Sequence, residues 1–241
     1  MARPAIIIGL GGTGQQIVTF LKKELLEIGG GQLPKEVKLL AFDTASRVNP
    51  QGSVDREKVY RLGNVALEEN REYVCIGDAL YQEVQRIKVD QERVESGQSA
   101  QLSHLHWFPA KELIERGLPQ AAFNTTQGAG AYRTLGRLSL FHSVYSVLGH
   151  LEQAMTKLKT EVRGTRSEVQ DGATDIRLLE IIVVGSFAGG TGAGTFIDMA
   201  WLARSQANAI LQDKYTLRGF FLLPTTFTTG GIGRGPDSTG K

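Results

Sequence analysis

Residues 178–195 read LLEIIVVGSFAGGTGAGT, and this stretch decides the fold. Its apolar, β-branched first half is typical of a buried central strand, predicted over 176–185. A helix is predicted to follow, from about Gly194 to Ile210. A turn from strand to helix needs one or two glycines, whereas five of the ten residues 185–194 are glycine. Because the N-terminus of a helix presents unpaired N–H groups, the pattern predicts a backbone-lined phosphate site. Neutral hydroxyl donors are added by Ser186, Thr191 and Thr195.

A second glycine loop, 9–14 (GLGGTG), lies between a predicted strand at 4–9 and a predicted helix at 14–28. Another apolar run at 37–42 completes a parallel strand–helix–strand unit with a right-handed crossover. Taken alone, this loop fits the dinucleotide-binding fingerprint, and Asp43 stands where an NAD-binding domain places its ribose acid. The loop at 185–194 changes that interpretation, because an ordinary dinucleotide-binding domain has only one such loop.

A third cluster, 128–131 (GAGA), precedes a segment whose apolar residues recur every three or four positions. That spacing predicts one long helix over 132–162. Arg133 and Arg137 fall in its first turns, where each cation opposes the helix dipole by about 0.3–1 kcal/mol. A nearby anion would offset that cost; alternatively, both side chains extend to solvent. The predicted apolar stripe comprises Leu135, Leu138, Phe141, Tyr145, Leu148, Leu151, Met155, Leu158 and Val162.

These units predict a three-layer, Rossmann-like α/β domain, with a mainly parallel sheet, helices on both faces and the ligand at the carboxyl edge. A further strand is predicted at 215–223. The Gly- and Thr-rich tail from Thr225 onward is predicted to be irregular. The whole chain, 1–241, is predicted to be a single nucleotide-binding domain.

Residues 48–120 have no place in this pattern, and we treat them as an insertion within the domain. Segments 57–70 and 77–95 are polar and charged, and both are predicted to be helical. The charged run 56–61 (REKVYR) is interpreted as a solvated helix face. Residues 164–173 are predicted to form a polar loop.

Composition limits the classes of function. The 241 residues are 41% hydrophobic and 22% charged, which is ordinary for a globular domain. The net charge of +2 gives no electrostatic argument for nucleic-acid binding. No run of about 18 apolar residues is present, so no transmembrane helix is expected. Cys75 is the only cysteine, which excludes an internal disulfide, and we expect a cytoplasmic protein.

Three weaker patterns are assigned to chance or to packing. Residues 235–241 match the spacing of a P-loop but lack the strand, the Ser or Thr and the helix that a P-loop needs. His104 and His106 have no third ligand at a spacing suited to zinc. Cys75 has no neighbouring base and is predicted to be a buried small residue.

The three glycine clusters, in this order, resemble those of the tubulin/FtsZ GTPase family. GGTGQQ (11–16) is similar to the family's first phosphate loop, and AFDT (41–44) to the strand end that places an acid or amide near magnesium. QGAGAYRTLGR (127–137) resembles the γ-phosphate loop and the helix after it. AGGTGAGT (188–195) resembles the signature loop G-G-G-T-G-[ST]-G. LPTTF (223–227) is similar to the proline-containing loop that approaches the ribose.

The resemblance implies a domain that binds GTP or GDP together with Mg²⁺, with Asp43 as the metal contact. The residues it implies as nucleotide contacts are Gly11, Gly12, Thr13, Gly14, Gln15, Asp43, Thr44, Gly128, Ala129, Gly130, Ala131, Ser186, Ala188, Gly189, Gly190, Thr191, Gly192, Ala193, Gly194 and Pro224.

The chain also departs from the family pattern. Ala188 stands at the first glycine of the signature loop, and Thr228 and Thr229 stand where an FtsZ-type loop carries glutamate. In the family, the base-reading asparagine, the central helix and the catalytic acid come after the position of Lys241. The chain is therefore expected to be the N-terminal part of a longer protein of a divergent bacterial branch.

The expected function is GTP binding with nucleotide-dependent self-assembly into cytoskeletal filaments. By resemblance, GTPase activity needs the catalytic acid of a neighbouring subunit, so little or no turnover is expected from this chain, and whether it is an enzyme stays open. Two alternatives remain. One is an NAD(P)-binding module that uses 9–14 and Asp43. The other is a non-catalytic tubulin-like scaffold that interacts through residues 48–120.

Overall fold

The computed structural model describes residues 3–49, 51–164, 179–211 and 215–229. Its elements in chain order are β1 (Ala5–Leu10), α1 (Gly11–Ile28), β2 (Val37–Asp43), β3 (Tyr73–Cys75), α2 (Tyr81–Glu95), α3 (Ala110–Glu115), α4 (Arg133–His142), α5 (Val144–Gly164), β4 (Leu179–Ser186), α6 (Gly190–Leu211), β5 (Tyr215–Leu222) and α7 (Thr225–Thr229). Short 3₁₀ helices lie at Ser103–Leu105, Gln120–Phe123 and Thr125–Gln127. None of the described helices is both long and apolar enough to cross a membrane. The loop predicted at 164–173 falls outside the described residues except for Gly164, which ends α5, and the P-loop match at 235–241 also falls outside them.

The five strands form one sheet in the order β3-β2-β1-β4-β5, and every described pairing is parallel. Side chains alternate across it, as the pleat of a strand requires. Ile6 and Ile8 face a core formed with α5 and α6, whereas Ile7 faces a core that includes Val18 of α1. Helices therefore cover both faces, which confirms the predicted three-layer α/β architecture.

The connections diverge at β1. The chain passes from β1 through α1 to β2 on one side of it, while β4 pairs with its other side and leads into α6. Since α1 and α6 pack on opposite faces, the loops that follow β1 and β4 leave the sheet in opposite directions. Such a switch point opens a crevice at the carboxyl edge of a parallel sheet.

The insertion has an apolar core of its own, and α4 closes it. Buried side chains of α2, α3 and the intervening loops pack against Ala129, Leu135 and Leu138. On another side, α4 packs closely on α6: a Cβ built on Gly136 would lie 2.4 Å from the Gly190 carbonyl oxygen. Helix α4 therefore joins the insertion to the edge of the sheet where the glycine loops lie. The insertion residues in this core are Leu80, Val84, Ile87, Leu105, Phe108 and Ala110, followed by Phe123.

The helix predicted at 57–70 is wrong. Gly63 has a φ of +63° and forms a tight turn with Asn64, across which the Leu62 and Val65 backbones exchange hydrogen bonds. Glycine and asparagine favour such turns, and this local preference overrides the charged, helix-like composition around them. The segment 56–61 is accordingly not a helix face. The helix predicted at 77–95 is largely confirmed, since α2 covers Tyr81–Glu95.

The single helix predicted at 132–162 is also wrong, because α4 ends at His142 and α5 begins at Val144. At the break, the Ser143 hydroxyl donates to the Ile76 carbonyl oxygen (3.2 Å). Apolar periodicity cannot reveal a one-residue break when both halves are helical. Phe141 and Tyr145, placed in the apolar stripe, are 44% and 86% exposed beside this break.

Two helices begin earlier than predicted. Helix α1 begins at Gly11 rather than Gly14, and α6 at Gly190 rather than Gly194. The glycines therefore form the first helical turns instead of a loop ahead of them. The tail, predicted to be irregular from Thr225, forms a short helix over Thr225–Thr229, and that part of the prediction is wrong.

One buried carboxylate holds the insertion together. Asp90 of α2 accepts hydrogen bonds from the backbone N–H groups of Gln101 and Leu102 (both 2.8 Å) and contacts His106 Nε2 at 2.9 Å. The Leu102 N–H, followed by the Gln101 N–H and the His106 ring, lowers the pKa of Asp90 from 3.8 to about 2. The role of His106 is thus to pair with Asp90, and the described residues contain no cluster of acids, histidines or cysteines that could hold a metal.

Replacement of Asp90 by Asn should destabilise the protein in a pH-dependent way. A depressed carboxyl pKa contributes stability above the unfolded-state value, and that stability is lost as the pH falls through the folded-state value. The difference in melting temperature between wild type and D90N should be largest above pH 4 and should shrink toward pH 2. Glu92→Gln, which alters an exposed ion pair on the same helix, is the control. A D90N deficit of constant size from pH 7 to pH 2 would contradict this account.

Candidate functional site

The carboxyl ends of β1, β2 and β4 enclose a cavity of about 190 Å³. All three glycine clusters reach it, so the loops at 9–14 and 188–194 open onto one space. Sequence reasoning missed Leu10 and Ala45, which flank predicted residues and carry no chemical signal of their own. The full lining is Leu10, Gly11, Gly12, Thr13, Asp43, Ala45, Gly128, Ala129, Gly130, Ser186, Gly189, Gly190, Thr191 and Gly192.

Two helix N-termini meet at the cavity. The first turn of α1 has no side-chain cap and no acidic residue, and the first turn of α6 has no acidic residue. The two turns nearly touch: a Cβ built on Gly11, whose φ is +68°, would lie 3.1 Å from the Gly192 nitrogen. Helix N-termini bind anions through unpaired N–H groups and the positive end of the helix dipole. The cavity is therefore suited to an anion held by backbone.

The cavity matches the phosphate part of a nucleotide better than a whole one. Pockets for drug-sized ligands are on the order of 300–1,000 Å³, whereas this space measures about 190 Å³. Asp43 is the one ionisable side chain among the described residues that line it. A bound polyphosphate would thus meet mainly neutral donors here, with its sugar and base outside this space.

Asp43 is buried at 7% exposure and its carboxylate is engaged by the protein. Its Oδ1 accepts from the Thr44 N–H (2.8 Å), and hydrogen bonding from Thr191 and the Ala45 backbone also favours the ionised form. Burial is nevertheless the largest effect, and it raises the pKa of Asp43 above its ordinary value. A divalent cation at the cavity would oppose that effect by stabilising the carboxylate.

The protein groups at the cavity could hold Mg²⁺ only together with ligands from the phosphates and from water. Among the described residues there is no group of three or more acids, histidines or cysteines that could hold an ion. Magnesium commonly takes one or two carboxylates together with substrate phosphates and waters. Asp43 would supply the protein ligand in such an arrangement, and the ion would neutralise phosphate charge.

Thr44 lies behind the cavity and does not line it. It is fully buried, and its Oγ1 accepts from the Ala129 N–H (2.9 Å) and lies 2.8 Å from Thr191 Oγ1. The Thr44 hydroxyl therefore joins the end of β2 to two of the three glycine clusters, 128–131 and 188–194.

Some predicted glycines serve packing between elements. A Cβ built on Gly14 would lie 2.6 Å from the Gly9 carbonyl carbon, and one on Gly194 would lie 2.1 Å from the Arg133 carbonyl oxygen. These glycines allow α1 to approach β1, and α6 to approach α4. A nucleotide contact stays a prediction for the remaining residues outside the lining, which are Gln15, Ala131, Ala188, Ala193 and Pro224.

Neither arginine of α4 is among the described residues that line the cavity. Arg137 forms a bidentate ion pair with Asp198 of α6 (2.7 and 3.1 Å) and stacks on Trp107 of the insertion, 4.4 Å from the ring centre. Arg133 donates to the Phe187 carbonyl oxygen (3.3 Å). The charge of Arg137 is thus paired within the protein, so it needs neither a bound anion nor free extension to solvent to explain its position.

Cys75 is less buried than predicted, although its contacts are those of a packing residue. It is half-buried at the end of β3, with its Sγ 3.5 Å from the Thr44 carbonyl oxygen. Burial raises the pKa of the Cys75 thiol, which disfavours the nucleophilic thiolate. Its place beside Thr44 makes it part of the support for the cavity floor.

A parallel sheet flanked by helices on both faces, with glycine loops gathered at its carboxyl edge, is the architecture of a tubulin/FtsZ GTPase domain. A family model described as "Tubulin like" matches residues 6–238. The chain therefore belongs to the tubulin-like family.

A search of solved structures matched CetZ2 from Haloferax volcanii, determined as a GTPγS-bound protofilament, at 17% sequence identity and a TM-score of 0.36. The match covers 91% of this chain and 39% of the CetZ2 chain. No curated protein matched significantly.

Replacement of Gly194 by Ala should destabilise the fold by about 1–3 kcal/mol, since the added methyl group would overlap the Arg133 carbonyl and force α4 from α6. Gly149→Ala is the matched control, because a Cβ there meets nothing within 4 Å and should stabilise α5 by about 0.4–1 kcal/mol. Urea unfolding of the three proteins measures both effects. Equal stability of G194A and wild type would show that Gly194 is not required for packing.

Proposed function

We propose that this domain binds GTP or GDP, with the phosphates in the cavity between β1, β2 and β4. The observation that carries the proposal is the convergence of three separate glycine clusters on one space, where Asp43 is the single ionisable side chain among the described lining residues. One helix N-terminus would suffice for a single phosphate group. Two N-termini and a third backbone loop suit a chain of phosphates.

Guanine as the base is supported by membership of the tubulin-like family. The NAD alternative is weaker, because it needs Asp43 to bind a ribose. That carboxylate is buried and already engaged by Thr44, Ala45 and Thr191. A ribose would have to compete with these partners for the carboxylate.

Magnesium, when bound, would neutralise charge on the phosphates. The protein contributes backbone N–H groups at the first turns of α1 and α6, the hydroxyls of Thr13, Ser186 and Thr191, and the carboxylate of Asp43. The N–H groups and the hydroxyls would bind and orient the phosphates, whereas the Asp43 carboxylate would contact them only through the ion. The described lining residues include no histidine, lysine or second acid that could activate water.

We propose self-assembly and hydrolysis for contacting copies of the protein rather than for a single copy of this chain. The support is family membership together with the lack of a second ionisable group among the described lining residues. A neighbouring subunit would supply the missing acid across the open side of the cavity. Assembly would then couple nucleotide turnover to contact between subunits.

Valine at Gly12 or Gly189 should weaken the binding of GTPγS by about ten- to a hundred-fold, because the side chain would fill the cavity and remove backbone contacts to a charged ligand. A side chain at either position should affect binding without disturbing the fold. A Cβ on Gly12 would lie 3.9 Å from Asp43 Oδ2, its nearest neighbour, and one on Gly189 meets nothing within 4 Å. Valine at Gly190 or Gly192 would instead collide with backbone at 2.8 or 2.6 Å.

Isothermal titration with GTPγS, GDP and NAD measures this effect, with Gly149→Val as the matched control. G149V should bind GTPγS and GDP as tightly as wild type binds each of them, and neither protein should bind NAD. If G12V and G189V keep wild-type affinity, the nucleotide lies elsewhere. Saturable NAD binding that these changes abolish would favour the dinucleotide alternative.

The 241-residue chain should bind GTP but release phosphate no faster than GTP alone in the same buffer, because its described site lacks a group to activate water. Phosphate release at saturating GTP, measured over a series of protein concentrations with sedimentation in parallel, tests this expectation. Steady release that is proportional to protein and occurs without sedimenting assemblies would contradict it and would assign a complete active site to one chain.

A further inference from the structure

A line of hydrogen-bonding groups runs through the floor of the cavity. The Ala129 N–H donates to Thr44 Oγ1 (2.9 Å), Thr44 Oγ1 lies 2.8 Å from Thr191 Oγ1, and the Thr191 hydroxyl interacts with the Asp43 carboxylate. These residues come from three distant parts of the chain. The first connection joins the loop at 128–131 to the end of β2, and the other two join the end of β2 to the loop at 188–194.

One hydrogen bond of this line has a fixed direction. Thr44 Oγ1 accepts from the Ala129 N–H and keeps its own hydrogen for donation. Between Thr44 and Thr191, either hydroxyl can be the donor. Hydrogen bonds joined through shared hydroxyl groups strengthen one another.

We propose that Thr44 is a positioning residue for the part of the cavity that holds the terminal phosphate, acting through the Ala129 amide and the Thr191 hydroxyl without touching the nucleotide. This inference rests on the proposed function, because it concerns the same site. It also differs from the expectation that Thr44 contacts the ligand, since Thr44 is fully buried and lies outside the cavity lining.

The loop that carries Ala129 depends on a few contacts for its shape. Gly128 and Gly130 have φ values of +102° and +54°, so the loop contains two left-handed residues on either side of Ala129. It is joined to the floor by the Ala129 N–H and to α6 by the Gly130 carbonyl oxygen, which accepts from the Gly190 N–H (2.7 Å). Loss of the first contact would remove the hydrogen bond that joins the loop to the end of β2, while its bond to α6 and the packing of Ala129 would remain.

The consequence is selectivity between nucleotides. The stretch 127–137 matches the loop that meets the γ-phosphate in the tubulin/FtsZ pattern, whereas the first turns of α1 and α6 would hold the inner phosphates. A shift of the loop at Ala129 should therefore weaken triphosphate binding more than diphosphate binding. A general loss of stability would weaken both equally.

Thr44→Val and Thr44→Ser separate the hydroxyl from the shape of the side chain. Valine keeps the volume but leaves the buried Ala129 N–H without an acceptor, while serine keeps the hydroxyl. Thr19→Val is the matched control, because Thr19 is equally buried and its hydroxyl donates to the Gln15 carbonyl oxygen within α1 (2.8 Å). All four proteins are tested as the full 241-residue chain.

Two measurements decide the matter. In titrations, T44V should bind GTPγS about tenfold more weakly than wild type and GDP within about twofold, with T44S and T19V close to wild type in the ratio of the two affinities. By amide hydrogen exchange without nucleotide, Ala129 should exchange about tenfold faster in T44V and at the wild-type rate in T44S and T19V.

The outcomes are distinguishable. If wild type binds GTPγS and T44V shows an unchanged ratio of GTPγS to GDP affinity, or if serine fails to restore the ratio, the inference is overturned while the proposed function stands. If Ala129 exchanges at the same rate in T44V and wild type, the hydrogen bond does not hold the loop and the inference also fails. If wild type binds neither nucleotide, the proposed function itself fails.

Discussion

The double pairing of β1 is the constraint on which the rest of the structure depends. β1 lies in the sheet between β2 and β4, and the helices that follow β1 and β4 pack on opposite faces. Because of that arrangement, the loops after β1 and β4 part at the carboxyl edge and leave a space between two helix N-termini. The end of β2 adds Asp43 beside them. A strand order that separated β1 from β4 would leave the same glycines without a common ligand.

Glycine has two separate uses around this space. At Gly12 and Gly189 the missing side chain leaves open volume in the cavity, whereas at Gly14, Gly136 and Gly194 it lets backbones pack against each other. The two uses alternate within single loops, so composition alone does not tell them apart. The close packing of α4 on α6 also connects the site to the insertion, whose core is completed by side chains of α4.

Much of the site was predictable because its signals are local. A β-branched run followed by clustered glycines predicts a strand, a phosphate loop and a helix from neighbouring residues only, and the structure gathers those loops at one edge. Helix ends and contacts between distant residues were harder to predict from the sequence. The break at Ser143 depends on a hydrogen bond to Ile76, and the pairing of Arg137 depends on Trp107 and Asp198, all distant in sequence.

The sequence by itself determined the parallel α/β class, the tubulin-like glycine loops and the chemistry of a backbone-lined anion site, because periodicity and glycine clustering act over a few residues. Only the tertiary structure decided which residues line the cavity. Thr44 lies behind the lining and Gly194 lies against the Arg133 carbonyl, because both positions are set by groups from other elements that approach within a few ångströms. No local pattern records which distant backbone a side chain will meet.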